Sequence, residues 1–283
     1  MITREEEEYI LTQAYVPEHI VSLMGSISKG EPFLVEDHLI FAKDNWLIFI
    51  GYSLDRQFYQ ERCEAILKRM VESFQPEYLW FIGPEILPSL LGSCTERLKD
   101  QYYLLEIQDK IPKPSLQHIA EKVSKELRLD QSQFFSKEHQ ALVAEFLKRE
   151  KLTPRLRELY LAMPQYVSHS KDAFVLNAWD KKGKLSAFYV IDLSAKQFVT
   201  YVIGCHSKKN YVPHASDLLF FEMIEYTRNS GKKTIHLGLG VNEGIKRFKK
   251  KWGGVPTLRY EFCECYFGYT RTTSWIKNLE GKL

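Results

Sequence analysis

The chain has 283 residues, 45% of them apolar, 27% charged and 13% aromatic, a globular composition large enough for two domains and unlike that of a disordered chain. No run reaches the roughly 18 apolar residues of a membrane span, and Met1-Ile2-Thr3-Arg4 followed by Glu5 to Glu8 is unlike a signal peptide, so a cytoplasmic location is expected. The net charge of +3 divides into +7 over residues 206–283, with 14 Lys and Arg against 7 Asp and Glu, and −4 over the rest, which points to an anionic partner near the C-terminal part.

Along the chain, residues 32–35, 38–44 and 46–51 read as three consecutive strands with short polar joints. A helix is predicted over 56–74, where Cys63, Ile66, Leu67, Met70 and Val71 recur at helical spacing. A buried strand at 78–82 ends in Gly83-Pro84, a short helical segment holds Ile86 to Leu91, and 102–107 is again a strand. Pro112 and Pro114 punctuate the exit.

Helical patterns then cover 116–127, 137–149 and 154–162. Strands follow at 173–180, 185–193 and 197–204, the first two joined by the turn signal Lys181-Lys182-Gly183. A helix over 217–229 has Ser216 as its expected N-cap and Gly231 as its stop. A strand at 233–239, a helix at 243–252 and a long strand at 258–268 complete the chain.

Both halves therefore read strand, strand, strand, helix, strand, helix, strand, which predicts two copies of one α/β fold. The expected domains are 1–114 and 115–283. Five scattered cysteines make a disulfide framework unexpected. Cys263 and Cys265 share one face of a strand and are expected as buried thiols, and no metal ligand set is read.

The last strand-loop-helix is the most specific segment. Leu239-Gly240 is followed by Gly244-Ile245, Phe248-Lys249 and Trp252-Gly253, with Asn242 as helix cap and Ile245, Phe248 and Trp252 as one apolar stripe. Lys246, Arg247, Lys249, Lys250 and Lys251 fill the remaining circumference, with no acid between Glu243 and Glu261. Most of these five are expected to form a solvated basic face.

Over about residues 197–262 this pattern resembles the GNAT superfamily of acyltransferases, and more closely its FemAB-like branch, whose members commonly hold two such domains in tandem. The resemblance implies two GNAT-like domains, each a mixed, mostly antiparallel sheet flanked by helices. It implies an N-acyltransferase moving an acyl group from a thioester of the acyl-coenzyme A type to an amine on a small molecule or peptide. A catalytically silent ligand- or partner-binding protein and aminoacyl transfer from charged tRNA are the alternatives.

By the same resemblance, the donor sits in a V-shaped opening beside Val202 and Gly204. Its phosphates would meet Lys208, Lys209, Ala215 and Ser216 at a helix N-terminus, where free N–H groups and the helix dipole favour anions. Asn242 belongs to the same expected cofactor site. That loop has no glycine after Gly204, a departure from the common glycine-rich pattern. Lys249 stands where many GNAT enzymes carry a tyrosine and is the expected stabiliser of phosphate or oxyanion charge. His206 and His214 are the candidate bases, with Tyr211 as neighbour, and His236 is expected inside the sheet. The first half lacks these features and is expected to be non-catalytic.

Overall fold

A computed structural model describes residues 2–107, 113–150 and 152–268. Pro112 and the basic residues beyond 268 lie outside the described residues. The elements in chain order are α1 (Arg4–Gln13), a 3-10 turn (Pro17–His19), α2 (Val21–Ser28), β1 (Glu31–Val35), β2 (His38–Lys43), β3 (Trp46–Ile50), α3 (Gln60–Phe74), β4 (Tyr78–Gly83), α4 (Pro88–Leu91) and β5 (Cys94–Glu106). Then come α5 (Pro114–Ser124), β6 (Leu127–Ser132), α6 (Lys137–Arg149), α7 (Pro154–His169), β7 (Ala173–Asp180), β8 (Leu185–Asp192), β9 (Phe198–His206), α8 (Ala215–Asn229), β10 (Thr234–Leu239), α9 (Glu243–Lys251) and β11 (Val255–Tyr266).

Two compact units result, 31–99 with 260–268, and 2–30 with 100–259, each over its described residues. The first carries the strand order β1-β2-β3-β4-β11, the second β5-β10-β9-β8-β7-β6. In each, three antiparallel strands lead to one parallel pair, β3 with β4 and β9 with β10, and the sheet then continues antiparallel. The antiparallel closing strand is β11 against β4 and β5 against β10. The expected repeat is therefore present, and each copy is completed by the last strand of the other. A division near residue 114 misses this, because it assigns β5 to the first copy and β11 to the second. Pairing between strands 128 or more residues apart leaves no local trace in sequence.

Other differences have local causes. Helix α3 begins at Gln60, not 56, because Arg56 is left-handed (φ 63°) and Asp55 accepts from the Gln57 amide at 2.9 Å. The helix read over 116–127 ends at Ser124, and β6, which had no predicted counterpart, follows from Leu127; its partner is β7, from Leu127↔Asp180 to Ser132↔Val175. The N-terminal helices had no predicted counterpart; α1 is fixed by a capping box between Thr3 and Glu6. The turn after Asp180 is as expected, with Gly183 at φ 73° and the Asp180 carboxylate accepting from the amides of Lys182 and Lys184.

The first unit packs α3 and α4 on Ile40, Phe49, Phe81 and Leu79, with Cys263 and Cys265 fully buried in the same core. Cys94 and Cys263 form a disulfide, and the Cys265 sulfur lies 3.4 Å from that of Cys263. This corrects the reading of Cys263 as a free thiol: Cys94 comes from 169 residues away, a partner that spacing could not reveal. Free thiols remain at Cys63, Cys205 and Cys265. Thiol titration in denaturant should accordingly count three groups before reduction and five after it; five before reduction would contradict the pairing.

Candidate functional site

In the second unit the parallel pair breaks apart. β9 and β10 face each other only at Thr234↔Phe198, Ile235↔Val199 and His236↔Thr200. Past His236 a register shift and Gly238 (φ 70°) keep β10 on β5. On the other side β9 shifts register against β8 between Ile203 and Tyr201, so Val202 is the extra residue of a bulge. The Val202 peptide thus lies outside the β8 register and beyond the last residue paired with β10. The end of the β9–β10 register thus falls beside Val202. In the first unit the equivalent pair stays closed: β3 and β4 are in register from Trp46↔Tyr78 to Ile50↔Ile82, and the Gly51 amide continues the ladder to the Ile82 carbonyl at 2.7 Å.

Gly204 has no side chain for a structural reason, since a Cβ there would lie 2.8 Å from the Tyr189 ring. Beyond it the loop is already supplied with an anion. Glu145 of α6 accepts from the Lys208 amide at 2.5 Å, the Lys209 amide at 3.4 Å and the Ser207 hydroxyl at 3.0 Å, with Arg149 at 3.7 Å. Burial pushes the Glu145 carboxyl up, but these donors outweigh it and hold it below the ordinary range. The backbone groups expected to cradle a pyrophosphate are engaged by the protein's own carboxylate. The side chains of Lys208 and Lys209 remain exposed.

His206 is half-buried beside this cluster, and burial, then Arg149 and Lys208, keep its pKa below the usual imidazole value. Its ring lies 6.5 Å from that of Tyr211. His214 is elsewhere. It is left-handed (φ 63°) and occupies the N-cap position of α8, so Ser216 lies inside the first turn and is not the cap; its carbonyl accepts from the Tyr189 hydroxyl at 2.8 Å. His214 Nδ1 pairs with Asp217 at 2.8 Å, and Lys251 and the Trp252 indole donate to the same carboxylate at 2.6 and 3.0 Å. Burial raises the Asp217 carboxyl, yet Lys251, His214 and Trp252 together hold it low. Ala215 is buried beneath.

Helix α9 differs most from its expected faces. Asn242 caps it by accepting from the Ile245 amide at 2.9 Å. Ile245 is exposed, and Lys249 takes the buried stripe with Phe248 and Trp252. Lys249 is 4% exposed, and its Nζ donates to the Leu239 carbonyl at 2.5 Å and sits 5.6 Å from the Tyr103 ring centre. Burial pulls its pKa down to about 7. It is neither a solvated cation nor one facing an open cleft. Lys251 is tied to Asp217 and Lys246 to Glu243, so repulsion along the helix is relieved within the protein.

The expected residues therefore fall into three groups, around Glu145, around Asp217 and at the end of β10. No contact joins His206, His214 and Lys249 among the described residues. Glu145 and Asp217 were missed because a lone acid in a helix pattern looks like surface. A cavity of about 520 Å³ between α6 and α7, lined by Val143, Leu147, Tyr160 and Leu161 among others, holds none of the expected residues.

Lys249 generates a pH signature. An amine whose folded pKa is depressed from 10.5 to about 7 costs stability below 7 and progressively less as pH rises to 10.5. At 1.36 kcal/mol per unit the full penalty is about 5 kcal/mol. Lys249→Met should therefore raise stability most near pH 6, with the gain fading by about pH 10. Exposed Lys250→Met is the control. A pH-independent difference for Lys249→Met would return Lys249 to the solvated face.

No protein-family model and no curated protein matches this sequence. Solved structures do match across nearly the whole chain. L-PGS from Bacillus licheniformis aligns with 97% of this chain and 95% of its own, at 15% identity and a TM-score of 0.58. FemX aligns over 92% and 96%, at 10% identity and 0.61. A tandem GNAT protein from the clavulanic acid biosynthesis pathway aligns over 94% and 95%, at 12% identity and 0.57. Identities this low carry fold and not reaction. With the repeated strand order and the single splayed pair, they show that the chain has the tandem GNAT fold in its FemAB-like form.

Proposed function

We propose that the chain transfers an aminoacyl group from a charged tRNA to an amine, with the reacting atoms in the splay between β9 and β10. The observation that carries this reading is the end of the parallel register, with Val202 as the bulge residue against β8 and beyond the last residue paired with β10. A free peptide N–H at that point is suited to polarise an acyl carbonyl and to stabilise the oxyanion that forms on attack. The first unit, zipped along β3 and β4, offers no equivalent and serves as a non-catalytic copy.

The choice of donor follows from Glu145. A coenzyme A donor would place its pyrophosphate on the loop amides of 207–209, and there it would meet a carboxylate held in the ionised form. An aminoacyl ester brings no pyrophosphate to that loop. Its polyanionic tRNA would meet the exposed Lys208, Lys209, Arg247 and Lys250. Acyl-coenzyme A remains the competing donor, since the splay would suit its thioester equally.

Lys249, buried on the Leu239 carbonyl at the end of β10, holds that strand end in place and does not face the substrate.

The two donors separate cleanly in solution. A charged tRNA pool should bind with an affinity that falls steeply with salt, and a labelled aminoacyl group should pass to an added amine pool. Acyl-coenzyme A at millimolar concentration should leave the melting temperature unchanged. Stabilisation by acyl-coenzyme A approaching about 2.7 kcal/mol, the value for a ligand at 100 times its Kd, would reverse the donor assignment.

A further inference from the structure

Three sulfurs meet in the first unit. Cys263 and Cys265 are two residues apart on β11, so both point to one face, and their register with Phe81 and Leu79 of β4 places them in the apolar core. Cys94 is the first residue of β5, just after α4, and packs against the same core. The Sγ atoms of Cys94, Cys263 and Cys265 all lie within 4.8 Å of one another, with those of Cys263 and Cys265 at 3.4 Å. Cys263 and Cys265 are fully buried and Cys94 is half-buried. The free thiols Cys63 and Cys205 belong to no such group among the described residues.

A disulfide uses two of these sulfurs and leaves Cys265 over, whereas a thiophilic cation uses all three. Zinc holds thiolates at about 2.3 Å, which sets the sulfurs of a tetrahedral site about 3.8 Å apart. Three sulfurs confined within 4.8 Å lie within reach of that spacing once the Cys94–Cys263 bond is open. No histidine or carboxylate joins the group among the described residues, and a donor set of thiolates alone selects zinc over magnesium or calcium. Half-buried Cys94 gives the cluster an edge at solvent, from which water supplies the fourth ligand. Spacing could not reveal this set, because Cys94 stands 169 residues before Cys263.

We propose that Cys94, Cys263 and Cys265 form a three-thiolate zinc site that alternates with the Cys94–Cys263 disulfide. A dithiol reductant converts the disulfide to two thiols and is itself oxidised to a disulfide. Zinc then displaces three thiol protons and takes one water, leaving a centre with one net negative charge. Metal and disulfide both tie the start of β5 to β11, so the first unit keeps this cross-link in either redox state. Only the metal form engages Cys265. The site is independent of the transfer reading, which concerns the second unit.

Zinc binding to the whole chain tests this, read against a colorimetric chelator. One sample is reduced with a dithiol and freed of it under nitrogen, and the other is left oxidised. The reduced chain should bind one zinc, and the oxidised chain should bind it about a hundredfold more weakly or not at all. Cobalt in place of zinc should show the intense near-ultraviolet absorption of thiolate-to-metal charge transfer. Cys265→Ser keeps the disulfide yet should weaken zinc binding about a hundredfold or more, while Cys63→Ser should bind as wild type does. Cys94→Ser, at a half-buried position, should lose binding by the same factor and stands in if Cys265→Ser does not fold. Four results would each overturn the site. They are no zinc on the reduced chain, affinity within about tenfold of reduced wild type in the oxidised chain or a folded Cys265→Ser or Cys94→Ser, cobalt bound without the thiolate absorption, and loss of binding in a folded Cys63→Ser.

Discussion

The second unit is organised by a competition for the backbone of β10. That strand pairs with β9 on one side and with β5 on the other, and after His236 it follows β5. Gly238 at φ 70° lets it turn away, and the bulge at Val202 takes up the slack in β9. The parallel register therefore ends three residues after it begins. The first unit shows the alternative outcome of the same strand order. Its parallel pair runs five residues and extends through the Gly51 amide, so nothing is left over.

Around the opening the protein satisfies its own charges with care. Glu145 fills the amides after Gly204, and Asp217 gathers His214, Lys251 and Trp252 at the start of α8. Each carboxylate is buried against its preference and held ionised by several donors, a balance that only works when all of them are present. These two clusters fix the loop between β9 and α8 without a bound phosphate.

Much of the fold is legible in sequence because it is local. Alternation and helical spacing reveal the repeated element order, and Gly183 and Gly231 stop their elements where expected, both with φ above 70°. The segment 238–254 carries enough local character to identify the fold. What is not legible depends on distant chain. β5 and β11 exchange places, Cys94 meets Cys263, and Glu145 reaches an amide 63 residues away. Lys249 is expected from the sequence to meet phosphate or oxyanion charge, whereas the structure buries it on the Leu239 carbonyl. Helical spacing assigned its face to solvent, whereas α9 is rotated so that Ile245 is exposed and Lys249 is covered.

The central claim is that only the splayed pair receives the donor, and amide hydrogen exchange read residue by residue tests it most directly. With charged tRNA added, the account predicts slower exchange over residues 199–206 and 236–241. Exchange over residues 46–51 and 78–83, already protected by the closed ladder, should not change. Protection confined to the first unit, or no change around Val202 under conditions where the tRNA is bound, would contradict it.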